Sequence, residues 1–432
     1  MPYWKQPAPL AGKRAAFFYG YPLAGYAFFM GFVASSFFLH SRGIFFPLWM
    51  EEFAVARTEI SFAISLTLFV GACAAPLTGH FLDRYPVRII VALGCAWLAC
   101  GYLLLQFVDG YLTFLLILVV FQGLGWTCVG PLAQTKLMVN WFNRHRGMAL
   151  GVAIMGISVA GIVMPTVATW LASTLGWRDT YALYAGVLLA VALPLTLLVV
   201  RQEPADLGQR PDGDALPAPG AIPAAAPMPS QPPQQLIAIY REFLGSRAFW
   251  SVVVTFGLMN GVYSAMITHL PAYLTGELGF SLYQASYVLG VAGLFSLIGK
   301  VVFGWMMDRM SAKLTVMVAV TFYLFSTLVF MAVSQYGLIV VAGALFGLGF
   351  GGMVPVRSVL LSRLFGVRKF SRVNGLLSFF LAPATFWVLI TGYVADTTGT
   401  YVTAFQVWAV AFLLAGVVTS LIRLPNRQDA VP

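Results

Sequence analysis

Residues 280–313 read FSLYQASYVLGVAGLFSLIGKVVFGWMMDRMSAK. A polar turn opens the stretch, about twenty mostly apolar residues follow, and a charged loop closes it, which is the pattern of a membrane-crossing helix. One cation, Lys300, interrupts the apolar part. A Lys inside hydrocarbon costs about 2.5–3.5 kcal/mol, so one that is kept there is a candidate functional residue. The closing loop, Gly304-x-x-x-Asp308-Arg309-x-x-x-Lys313, has a counterpart in the first half of the chain.

The whole chain carries the same signature. Of its 432 residues, 60% are hydrophobic and 9% charged, with a mean hydropathy of +0.85. A soluble domain has about 25% charged residues, so the composition excludes a water-soluble globule and indicates a polytopic membrane protein. Apolar runs of about twenty residues fit helices rather than barrel strands. Twelve spans are expected, over 17–40, 60–81, 88–107, 111–139, 147–172, 180–200, 249–275, 281–307, 314–334, 336–362, 374–395 and 401–423. No cleavable leader is expected, because residues 1–14 are short, polar and basic and the first apolar run continues past leader length. Cys73, Cys95, Cys100 and Cys128 all fall inside apolar runs, which argues against a disulfide framework.

The net charge of +10 reads as topology and not as a nucleic-acid footprint. With both termini cytoplasmic, the inside segments hold Arg84, Arg88, Arg144, Arg146, Arg309, Lys313 and most of the other cations, including Lys5, Lys13, Arg14, Arg368, Arg423 and Arg427. The outside segments hold only Arg42, Arg57 and Arg178. That asymmetry gives the orientation, with the inner membrane as the expected location. Residues 201–238, rich in Pro and Ala without apolar periodicity, are expected to form a flexible cytoplasmic linker. It divides a six-helix bundle at 17–200 from a second at 239–423, flanked by cytoplasmic tails at 1–16 and 424–432.

The halves repeat. Gly79-x-x-x-Asp83-Arg84-x-x-x-Arg88 matches the loop at Gly304–Lys313, Gly123-Leu124-Gly125 with Pro131 matches Gly347-Leu348-Gly349 with Pro355, and Phe142 falls opposite Phe365. Paired six-helix repeats are the sequence sign of a transporter that rocks about a central site. With these loops the chain resembles the major facilitator superfamily: an all-α membrane protein of twelve transmembrane helices in two six-helix repeats. Within it, the chain resembles the monocarboxylate-transporter and oxalate/formate-exchanger branch. Gly43-Ile44-Phe45-Phe46, the run Trp141 to Gly147, Gly176-Trp177-Arg178, His269-Leu270-Pro271-Ala272-Tyr273 and Gly279-Phe280-Ser281 carry that likeness.

The resemblance implies that a basic residue at the position of Lys300 binds the substrate carboxylate. Ser296, one turn earlier, stands where animal lactate carriers of the branch have an Asp, so an Asp–cation couple is absent. His40 matches a Lys of the animal carriers and titrates near neutral pH, which suits proton coupling; the competing reading is an inert His at the outer interface. Asn260 and Tyr263 sit about one turn apart and could hydrogen-bond a substrate or a neighbouring helix. His269 before Pro271 reads as helix-end geometry, and Arg42 as a solvated charge at the outer mouth. Lys136 and Arg357 lie near the cytoplasmic ends of their spans, as snorkelling cations or gate residues. Asp83, Arg84, Asp308 and Arg309 are implied to hold the cytoplasmic side closed and so set the conformational equilibrium.

All fifteen acidic residues fall in loops or at span ends, so the central charge is positive and favours an anionic substrate. No phosphate-cradling G-x-x-x-x-G-K-[ST] run is present, and four scattered His give no metal motif. The expectation is therefore no enzyme, cofactor or metal, and no nucleic-acid partner. The expected protein is a monomeric secondary active transporter in the lipid bilayer, carrying a small organic anion, a monocarboxylate foremost, together with a proton. The alternatives are an organic anion exchanger and a proton-driven exporter of drugs or metabolites.

Overall fold

The computed structural model describes residues 18–213, 240–366 and 369–422. The tails, the linker from residue 214 onward and the cations Lys5, Lys13, Arg14, Arg368, Arg423 and Arg427 lie outside the described residues. Among the described residues eleven helical segments are long and apolar enough to cross a membrane. One of them, Arg146–Val199, contains Gly176 at φ +80°, a left-handed conformation that no helix accommodates and that glycine adopts freely. Gly176 therefore divides it into two spans, between the expected 147–172 and 180–200.

The helices are α1 (Gly20–Phe53), α2 (Arg57–Arg84), α3 (Val87–Phe107), α4 (Tyr111–Trp141), α5 (146–175), α6 (177–199), α7 (Arg247–Gly276), α8 (Leu282–Arg309), α9 (Ala312–Ala332), α10 (Tyr336–Phe365), α11 (Arg372–Thr398) and α12 (Tyr401–Ser420). Local chemistry sets their ends. Ser281 Oγ accepts from Gln284 N at 3.2 Å while Gln284 Oε1 accepts from Ser281 N at 2.9 Å, a capping box that starts α8. The repeated loop motif ends two helices alike, since α2 closes at Arg84 and α8 at Arg309.

Span 1 departs from expectation. It does not end at His40 but runs on to Phe53, where Ala54 turns left-handed. A π-helical turn, Ser36–His40, is absorbed within it, and Ser41 Oγ donates to Ser36 O at 2.8 Å across the irregularity. Such insertions re-aim the side chains that follow and recur at functional sites. A second π turn, Leu118–Gly123, lies in α4, which breaks again at extended Gly130 before Pro131. Pro355, its repeat partner, stays inside a continuous α10.

The linker also departs from expectation. Its first part, 201–213, is tied to the N-terminal bundle. Gln202 Oε1 accepts from Val87 N at 2.8 Å, and Gln209 Oε1 accepts from Tyr19 N at 3.0 Å. Asp212 accepts the backbone N–H groups of Asn143, Arg144 and His145 at 3.0, 2.6 and 3.2 Å. Burial alone would push the Asp212 carboxyl up, but these three bonds outweigh it and hold the group below the usual carboxylate range. Polar side chains matched to free backbone donors at the start of α5 explain why a stretch without periodicity is nonetheless ordered.

The halves meet along α5–α8, α2–α11 and α1–α7. The contact lies towards the face opposite the linker, here the far face. There Thr58 N and Oγ1 donate to Asp396 at 2.7 and 2.6 Å, Arg57 pairs with Asp396 at 3.7 Å, and Ser173 bonds Tyr283 at 3.1 Å. Proline and glycine permit the α1–α7 approach. Pro271 has no N–H to offer Ile267 O four residues earlier, and a Cβ on Gly43 would lie 2.1 Å from that same carbonyl. Only a bare glycine fits against it.

Candidate functional site

A cavity of about 110 Å³ lies between the halves, lined by residues of α1, α5, α7, α8 and α10. Lys300 on α8 reaches into it, and its ammonium donates to Ser158 Oγ on α5, so the bond spans both halves. Among the described residues no Asp or Glu lines the cavity. The ion pairs instead lie near helix ends, joining Arg57 to Asp396, Lys136 to Asp83, Arg178 to Glu52 and Lys369 to Glu242. The half-buried Lys300 therefore has a hydroxyl partner and no neutralising carboxylate.

His40 faces the same space from the end of the π turn of α1. Its ring packs on the bare backbone of Gly161, where an added Cβ would lie 3.0 Å from Cε1. Nε2 is buried without a hydrogen-bond partner, an unusual condition for a polar atom in the protein interior. Tyr263 supplies an aromatic wall, its ring stacked on Phe350 with centroids 3.4 Å apart. Ser296, 7% exposed, completes the polar lining one turn from Lys300. Four sequence candidates, Lys300, Ser296, Tyr263 and His40, thus share one cavity.

The others fall elsewhere. Asn260 is half-buried on α7 but is not among the residues that line the cavity. Lys136 pairs with Asp83 at 2.6 Å, which ties α4 to the end of α2 within one half. The second half does the same job differently: Arg363 donates to Met307 O at 3.0 Å near the end of α8. Arg84 and Asp308 are exposed, and the Arg309 guanidinium lies 4.4 Å above the Trp305 ring. Arg357 is half-buried on α10 with its Nε enclosed and unpartnered.

Two expectations need correction. Arg42 is not a solvated charge at the mouth: it is 6% exposed and donates to Ser264 Oγ on α7 at 3.1 Å. The cause is the longer α1, which carries residues 41–50 inside the bundle. His269 is not at a helix end, because α7 continues through Pro271 to Gly276. It is fully buried, with Nε2 bonded to Val388 O at 2.9 Å and to Ser61 Oγ at 3.3 Å, and Nδ1 to Tyr401 OH at 3.1 Å. Sequence reading missed Ser158 and Phe350, whose types are common in apolar helices and carry no signal alone.

The sequence model of the Major Facilitator Superfamily matches residues 27–337 and 295–432. Monocarboxylate transporter 13 of Bos taurus is 27% identical over 395 residues, covering 88% of this chain and 83% of that protein. Monocarboxylate transporter 11 of Homo sapiens is 26% identical over 381 residues, covering 85% and 75%. The uncharacterized MFS-type transporter YcxA of Bacillus subtilis (strain 168) is 23% identical over 411 residues, covering 89% and 91%. Among solved structures, a bacterial homologue of the human lysosomal transporter Spinster, inward-facing and occupied, superposes with a TM-score of 0.70 at 12% identity. It covers 94% of this chain and 96% of that one. The nucleoside transporter NupG gives 0.73 at 12% identity, covering 93% and 99%. With the repeated loops, the paired bundles and a family match across almost the whole length, this chain belongs to the Major Facilitator Superfamily.

Proposed function

We propose that the protein is a secondary active transporter of a small organic anion, foremost a monocarboxylate, working by alternating access with a proton as companion. One observation carries the reading: Lys300 enters a cavity between the halves that no acid among the described residues neutralises. A carboxylate there gains roughly 4 kcal/mol of attraction at 4 Å and an effective dielectric near 20. Its oxygens replace Ser158 as acceptor, so binding exchanges a contact between the halves for a contact with substrate. That exchange frees α8 from α5 at the level of the cavity. Tyr263 and Phe350 offer an apolar wall for the organic part, and the small cavity suits a small anion.

His40 is the proton site in this reading, with an unpartnered Nε2 beside the same space. Carboxylate and proton together make the loaded step electrically neutral. The charge asymmetry of the loops supports a cytoplasmic linker face, and in this reading the described state, with its halves in contact at the far face, is the one closed to the outside. The names of the monocarboxylate transporter relatives agree with the substrate class.

The test is uptake of labelled lactate, pyruvate and acetate into proteoliposomes under an inward proton gradient, with Lys300→Ala alongside. Gradient-driven uptake that the substitution abolishes is the expected result. Uptake that survives it would remove Lys300 from the site. Uptake insensitive to the gradient would remove the proton.

A further inference from the structure

We propose that Arg42 is a second anion-binding group of the transport path, one that takes the substrate carboxylate when the far face opens. This rests on the carboxylate reading above and adds a residue, a position and a conformational state to it. Arg42 is nine-tenths buried on α1, one residue before the glycine that touches α7. Its Nη2 donates to Ser264 Oγ across the halves, while its Nε is enclosed with no hydrogen-bond partner. Among the described residues no carboxylate pairs with it. A guanidinium keeps its charge when buried, and one neutral hydroxyl is a poor match for five fixed donors.

The enclosed Nε is a donor without an acceptor. It calls for a ligand made of acceptors, and a carboxylate provides two oxygens and no donor.

The device follows from the bond to Ser264. While the far face is closed, that hydroxyl holds Arg42 across the halves, and neither residue is among those that line the cavity. When α1 and α7 part, Ser264 withdraws and the guanidinium faces the opened space. An arriving carboxylate replaces the hydroxyl and stabilises the open state. Closure then returns Arg42 to Ser264 and leaves the anion with Lys300.

The experiment measures pyruvate binding by equilibrium dialysis in two backgrounds. One is the unaltered protein. The other carries Gly392→Trp, since a Cβ at Gly392 would lie 2.3 Å from Ser61 Oγ and 3.0 Å from Arg57 O, so an indole there props α11 off α2 at the far face. Arg42→Gln is expected to weaken binding at least about ten-fold in the propped protein and less than about two-fold in the unpropped one. Arg42→Lys keeps the charge, is expected to retain part of the affinity, and serves as the folding control. Equal weakening in both backgrounds, or none in the propped one, overturns the inference while leaving Lys300 in place. If neither parent protein binds pyruvate, the carboxylate reading itself fails and takes this inference with it.

Discussion

Replacing Gly43 by Ala tests whether the far-face contact of α1 with α7 sets the resting state. The added Cβ would sit 2.1 Å from Ile267 O and 3.4 Å from Thr268 O, against an ordinary contact of about 3.5 Å. The backbone must give by on the order of 1 Å, and the obstruction is a main-chain carbonyl that no rotamer change can move. Overpacking of this kind costs about 1–3 kcal/mol. The strain exists only where the halves touch, so it falls on the closed far face and shifts the equilibrium towards the open one by about 5–150-fold. Gly43→Trp magnifies the effect. The assay is a spin-label distance between Glu51→Cys and Thr398→Cys, with Cys73, Cys95, Cys100 and Cys128 replaced. Gly25→Ala, at a site with nothing within 4 Å, is the control. A longer distance population should appear with Ala, dominate with Trp and be absent from the control. An unchanged distribution in Gly43→Trp would refute the reasoning, because the two halves would then not be held by this contact.

Two further outcomes follow from the described bonds. His269→Leu should lower the melting temperature by several degrees in a detergent thermal melt. It removes the imidazole that bonds Val388 O and Tyr401 OH, at about 0.5–1.5 kcal/mol for each lost bond; a melt unchanged from wild type would show that the far-face network is not a stabilising element. Asp212→Asn should speed hydrogen exchange at the amides of Asn143, Arg144 and His145. The docked carboxyl is held below its ordinary pKa of about 3.9. Its stabilising effect is therefore complete above that value and is lost as pH falls through the lower docked one. Docking, read as the protection of those amides relative to their intrinsic exchange, should accordingly be constant from neutral pH down to about 4, and protection lost between pH 7 and 5 would refute the assignment to Asp212.

Much of this architecture follows from linear pattern alone. Apolar runs of membrane length, the cation in the middle of α8, the paired loops at Asp83 and Asp308 and the absence of central acids are all local statements. They suffice for the fold class because hydrocarbon leaves the backbone only helices or closed barrels to adopt, and apolar runs of about twenty residues select helices. The break between α5 and α6 was equally legible as the gap between the expected spans 147–172 and 180–200, and Gly176 lies within that gap.

Tertiary structure decided the rest. Whether α1 stops at His40 or continues depends on one extra residue absorbed in a π turn, a choice that packing makes and periodicity does not encode. That choice moved Arg42 from the expected mouth to the interior. Pro271 reads as a helix end, yet α7 tolerates it because Gly43 of the other half packs against the carbonyl it leaves free. The linker sequence lacks periodicity, yet 201–213 is held by side chains that match the free donors of Tyr19, Val87 and residues 143–145. For Pro271 and for the linker the deciding partner is more than fifty residues away in the chain, so its effect on the local conformation exists only once the helices are assembled.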